Sequence, residues 1–86
     1  MKYQHYLEEN FPRYLNLLSQ WVDTNSFTAN PAGVNALGKL TASAFFDLGF
    51  DAEYIPSENP NFGNHLVLTR KGTSGRKLGL ISHLDT

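Results

Sequence analysis

The 86-residue chain is 41% hydrophobic, 13% aromatic and 17% charged, and seven Lys+Arg against eight Asp+Glu give it a formal net charge of -1. A balance this near neutral excludes a basic face for nucleic acid or an anionic membrane, and the apolar content excludes intrinsic disorder. The absence of cysteine excludes disulfide staples and thiolate sites and fits a reducing compartment. A chain of this length holds one domain at most and buries only roughly 60 to 65% of its unfolded surface, so its core is marginal unless something supplements it. Residues 1–10 (MKYQHYLEEN) lack the apolar core of a signal peptide. No apolar run approaches the roughly 20 residues that cross a bilayer, and the expectation is a cytoplasmic protein.

In chain order, Leu7, Phe11, Tyr14, Leu15, Leu18, Trp21 and Val22 recur at steps of three and four, the stripe of an amphipathic helix with one face on a core. Pro12 disfavours helical geometry at Phe11 and has no N–H, so the main helix is expected to begin near Pro12 after a separate turn or short helix. The polar cluster Asp23 to Ser26 ends it. A second helix is punctuated by Asn30 as N-cap, Pro31 at the first helical position and Gly49 where a left-handed C-terminal residue is needed. Val34, Leu37, Thr41, Ala44, Phe45 and Leu48 line one of its faces. Gly33 and Gly38 weaken it by up to about 1 kcal/mol each relative to alanine, so it depends on packing against a neighbour.

After Gly49 the period changes. Phe50 to Pro56 alternates roughly apolar and polar and reads as a short exposed or edge strand, followed by a turn-rich loop at Ser57 to Gly63. His65 to Arg70 is a second strand, and Lys71 to Arg76 a glycine-containing loop. Lys77 to Ser82 is nearly continuous in apolar character and is expected to be a third strand, buried on both faces. The order helix, helix, strand, strand, strand belongs to a mixed α/β architecture, a partial mixed sheet with two N-terminal helices. A doubly buried strand needs a following crossover and cover on both faces, so residues 1–86 are expected to be the N-terminal, incomplete part of a single longer domain.

The residues able to carry chemistry are the last five, Ser82, His83, Leu84, Asp85 and Thr86, because ligands of open α/β sheets bind at the carboxyl ends of strands. In extended backbone His83 and Asp85 project to the same side. The aspartate can then hold the imidazole Nδ1 proton and leave Nε2 free for a metal ion. A His-x-Asp triplet also serves as a purely structural hydrogen-bonded pair, and spacing alone does not separate the two roles. His5 and His65 read as surface or packing residues, Glu8 and Glu9 as a solvated helix face, and Glu53 and Glu58 as flanks of the exposed strand. Arg70, Lys71, Arg76 and Lys77 form the one basic cluster, which reads as a solvated loop, and Gly72 to Gly75 lack phosphate-loop spacing. Trp21 and the tyrosines fall at helical spacing and read as core.

Several segments together resemble the N-terminal part of the M20 family of metallopeptidases, which includes glutamate carboxypeptidases, aminoacylases and acetylornithine deacetylase. They are the polar helix end at Val22 to Ser26, the N-P-x-G-type start at Asn30 to Val34 and the L-G-F end at Leu48 to Phe50. The N-h-[LV]-like strand at Asn64 to Val67, the turn at Lys71 to Gly75, and the apolar strand running into the G/S-H-x-D-T motif at Ser82 to Thr86 complete the match. The resemblance implies the start of a zinc-peptidase-like catalytic domain, with His83 ligating one zinc of a two-zinc site and Asp85 as its catalytic partner. It implies a peptide or N-acyl amino acid as substrate, no nucleic-acid or membrane partner, and a homodimer for the complete protein. The family's bridging aspartate, Glu-Glu pair, further carboxylate ligand and late histidine would all follow Thr86, so the isolated chain is expected to be inactive. Two rival readings are a small non-catalytic α/β binding module or degenerate remnant, and a metal-free hydrolase whose His-Asp pair is structural.

Overall fold

The computed structural model describes residues 3–86, arranged as two helices followed by two strands: α1 (Gln4–Asp23), α2 (Pro31–Phe46), β1 (Asp51–Ile55) and β2 (His65–Thr69). This is a small mixed α/β arrangement. No helix among the described residues is long and apolar enough to cross a membrane.

The first helix corrects the expectation of a break before Pro12, because α1 runs unbroken through that proline. Its opening turns are held by local pairs at helical spacing. Gln4 Nε2 donates to Glu8 Oε1 at 3.0 Å, His5 Nε2 lies 3.0 Å from Glu9 Oε1, and Asn10 Nδ2 donates to the Tyr6 carbonyl at 2.8 Å. Pro12 leaves the residue 8 carbonyl without its helical donor, and the side-chain contact that spans it is the pair of Tyr6 and Tyr14 hydroxyls, 3.1 Å apart. A second correction concerns its stripe: α1 buries none of its residues, and Leu7, Phe11, Leu15, Leu18 and Val22 stand exposed. The stripe has the right period, but no described element lies over it.

The packing that exists is built around α2, which lies against both strands. Its start follows from its sequence, since the Asn30 side chain accepts a hydrogen bond from Gly33 N at 3.2 Å and Pro31 occupies the first turn without wasting a donor. Its end is set by Gly49 at φ +86°, which permits the paired bonds Gly49 N to Phe46 O (2.9 Å) and Phe50 N to Phe45 O (3.2 Å) of a left-handed helix stop. The Phe45 and Phe50 rings meet edge to face with centroids 5.3 Å apart, the apolar contact such a stop brings together. The buried set is Val34, Leu37, Gly38 and Ala42. Of the predicted face, Thr41, Ala44 and Phe45 are half-buried, and Leu48, beyond the helix end, is exposed.

The strands form one antiparallel pair in the register Asp51↔Thr69 through Ile55↔His65. Leu66 and Leu68 are the half-buried positions of β2, alternating with exposed neighbours as a pleated strand requires. Tyr54, opposite Leu66, faces α2, with its ring edge 3.9 Å from where a Cβ on Gly38 would sit. A two-stranded ribbon is marginal by itself, so α2 is what stabilises it.

The third strand predicted over Lys77 to Ser82 does not form, and no regular structure follows Thr69. Leu78 and Leu80 are each 89% exposed and Ile81 is fully so, which reverses the expected burial on both faces. A strand is made by a partner that accepts its N–H and C=O groups, and none of the described residues pairs with this segment. The result is an extended molecule, 45 × 35 × 17 Å, with a radius of gyration of 15.0 Å. A compact domain of this length would have about 12 Å.

Candidate functional site

The site is built from two distant pieces of chain, the loop between α1 and α2 and the segment 82–86. The loop is fixed first by its own asparagines. Thr24 closes α1 through its N–H to Trp21 O (3.2 Å) and its hydroxyl to Gln20 O (2.9 Å). Asn25 Oδ1 accepts from Phe27 N (3.2 Å), Asn25 O accepts from Asn30 Nδ2 (3.1 Å), and Asn30 N donates to Phe27 O (2.8 Å). Gly33 permits this closure, because a Cβ there would fall 1.6 Å from Asn25 O. Of the two glycines that weaken the helix, Gly33 thus serves close approach to the loop, whereas a Cβ on Gly38 would make only ordinary contact with Leu84 and Tyr54.

Segment 82–86 docks on this loop with three hydrogen bonds. Thr86 N donates to Ser26 O at 3.0 Å, and the Ser26 and Thr86 hydroxyls lie 3.0 Å apart. Thr28 Oγ1 donates to Asp85 Oδ2 at 2.5 Å. Ser26 is 3% exposed, so its hydroxyl bond to Thr86 satisfies a polar group that burial would otherwise penalise. Leu84 is half-buried and turns inward, its Cδ1 3.5 Å from the Cβ position of Gly38.

The predicted pair, His83 and Asp85, is brought together. His83 Nδ1 lies 2.6 Å from the Asp85 carbonyl and 3.3 Å from Asp85 Oδ1. Both neighbours are acceptors, so the neutral ring carries its proton on Nδ1 and presents the Nε2 lone pair. The ring is 79% exposed, against 38% for Asp85. The Thr28 hydroxyl, before any other contact, holds the Asp85 carboxyl below the usual carboxylate range, with partial burial opposing and its own amide and His83 assisting.

A partly open cleft of about 360 Å³ lies beside the pair, with Thr28, Ser57, His65, Ser82, His83 and Asp85 among its walls. Its size is within the range of small-molecule sites, about 300–1,000 Å³. His65, which the sequence marks as a surface or packing residue, is on the cleft wall; only the hairpin register, which returns the start of β2 to Ile55 and the mouth of the cleft, reveals that position. Ser26 and Thr28 are absent from the sequence reading as site residues, since nothing local links them to positions 60 and 57 residues away. His5, by contrast, pairs with Glu9 on the exposed surface of α1.

The donor set suits a metal ion in part. His83 offers an oriented imidazole nitrogen with a carboxylate behind it, the arrangement that metal-binding histidines use. Among the described residues, however, no three His, Asp or Glu side chains come together as a metal-holding group.

No protein-family model matches the chain, and no solved structure matches it. Over 75 residues, 87% of its length, it is 29% identical to carboxypeptidase G2 of Pseudomonas sp. (strain RS-16). That match takes in 18% of the relative, so the chain spans under a fifth of the curated protein it resembles.

Proposed function

We propose that this chain is the N-terminal portion of the catalytic domain of a zinc-dependent, M20-type hydrolase that cleaves amide or peptide bonds in the manner of a carboxypeptidase. The 29% identity with a carboxypeptidase over most of the chain supports the activity class. The observation that carries the site is the His83 ring, held at Nδ1 by Asp85 and open at Nε2.

In this reading His83 Nε2 is one zinc ligand. Bound zinc supplies Lewis acidity and an acidified water for attack on an amide carbonyl. This chain's own contribution is positional. Asp85 holds the Nδ1 proton and fixes the ring plane; the docked segment keeps His83 at the cleft where a substrate carbonyl has room to enter. A catalytic zinc takes about three protein ligands, and the described residues supply one, so the other ligands and the general base belong, in this proposal, to chain following Thr86.

The test compares the 86-residue chain with the same chain continued through the coding sequence after Thr86. The expected result is two zinc ions and release of C-terminal amino acids from peptide or N-acyl amino acid substrates by the longer protein, with neither micromolar zinc saturation of the His83 resonances nor turnover by the shorter. Zinc-free activity in the longer protein, or a downstream sequence without further carboxylates and histidine, would overturn the proposal.

A further inference from the structure

The stripe of α1 is a continuous apolar face. Leu7, Phe11, Leu15, Leu18 and Val22 are each between 52% and 74% exposed, on a helix that buries none of its residues. At about 100° per residue the five fall within an arc of about 80°, set off from the side that carries the half-buried Tyr14 and Trp21.

The spacing of the stripe is nearly symmetric. Reversed about the midpoint between Tyr14 and Leu15, position 7 falls on 22, position 11 on 18, and Leu15 beside itself. Two copies of α1 laid antiparallel therefore bring Leu7 of one level with Val22 of the other and Phe11 level with Leu18, at both ends at once. A two-fold interface requires this self-complementarity, and a face for an unrelated partner is under no such constraint. A shallow groove of about 290 Å³ along Leu7, Glu8 and Phe11 then lies level with Leu18 and Val22 of the other copy, which can enter it. Glu8, the one charge bordering the stripe, meets Trp21 and stands about 20 Å along the axis from the other Glu8, so no like charges oppose. The five side chains expose roughly 500–600 Å², most of the roughly 800 Å² per partner that a standard interface buries.

We infer that this face is a self-association surface whose occupant is α1 of a second copy of the chain, in an antiparallel helix pair. The inference uses no residue of the cleft and stands apart from the zinc reading.

Sedimentation of the 86-residue chain from micromolar to millimolar concentration is expected to show conversion to twice the mass of one chain. Leu15→Arg, which sets two cations at the axis, should weaken association about tenfold or more, as loss of a central anchor does. Leu80→Ser, on the other exposed apolar segment, should leave it unchanged. The chain has no cysteine, so introduced thiols report the direction of pairing. Under a mild oxidant Leu15→Cys should give a disulfide-linked dimer, and a mixture of Leu7→Cys with Val22→Cys a mixed one. Leu7→Cys alone should stay unlinked, because its two sulfurs would lie about 22 Å apart along the axis. A chain monomeric across the whole range, a dimer linked through two copies of Leu7→Cys, or dissociation by Leu80→Ser overturns the inference. So does a monomer of the protein continued after Thr86 in which Leu15→Cys is shielded from a thiol reagent, since that assigns the stripe to later chain of the same molecule.

Discussion

Residues 77–81 and residues 82–86 are consecutive in the chain and opposite in fate. The first segment is the more apolar, with Leu78, Leu80 and Ile81, and it lies in solvent without a partner. The second is mostly polar, and it is anchored by Ser26, Thr28 and an inward Leu84. Hydrophobic character makes a segment seek cover but does not choose the cover; directional bonds to particular donors and acceptors fix one placement. Near the site, therefore, polar complementarity sets the structure more firmly than apolar content.

The largest blow to that contrast comes from Gly33→Ala. Its methyl would collide with Asn25 O, pushing away the loop that receives 82–86, and the expected cost is about 1–3 kcal/mol in urea unfolding, typical of overpacking. The Thr86 amide should lose its exchange protection at the same time. A variant with wild-type stability and an intact Thr86–Ser26 bond would show that the anchor does not depend on the loop.

Acid should act next, and selectively. The Asp85 carboxyl is held below its usual value, so its ionised form favours the docked segment; that contribution is complete above the unfolded aspartate value of about 3.9 and is lost as pH falls through the depressed folded value. The amide signals of 82–86 are expected to hold from neutral pH down to the carboxylate range and then to move toward unfolded positions. Release of the segment while carboxylates are still ionised would assign its docking to other groups.

The smallest effect belongs to the exposed half. Leu80→Ser removes an apolar side chain that touches no described partner, and its cost should lie within about 0.5 kcal/mol. A loss several times larger in thermal unfolding would mean that residues 77–81 are covered in solution, and the contrast would fail.

Legibility followed the range of the forces. α2 was readable at both ends because Asn30, Pro31 and Gly49 act within a few residues of where they stand. The two strands were readable within a residue or two, since alternation and flanking turn residues are also local. The failures needed information from outside the window. Pro12 suggests a break because its local penalty is visible in the sequence, whereas the Tyr6–Tyr14 contact that spans it is a property of the assembled helix. The apolar run at Lys77 to Ser82 predicts a strand but says nothing about a partner. In the candidate site, the contact between His83 and Asp85 could be anticipated from their spacing, whereas Ser26 and Thr28 could not, because a hydroxyl in a polar loop carries no sign of which residue it will meet.

Leu84 separates His83 from Asp85 by turning the other way, toward Gly38 and beside Tyr54. The motif is thus riveted at its middle residue, and the fit of the rivet is decided on a helix far from it in sequence. An alanine at position 38 would only touch Leu84, but a branched residue would lift it and carry His83 and Asp85 with it. Side-chain volume at position 38 would therefore be felt first at Leu84 and then at the Thr28–Asp85 and Ser26–Thr86 bonds that flank it.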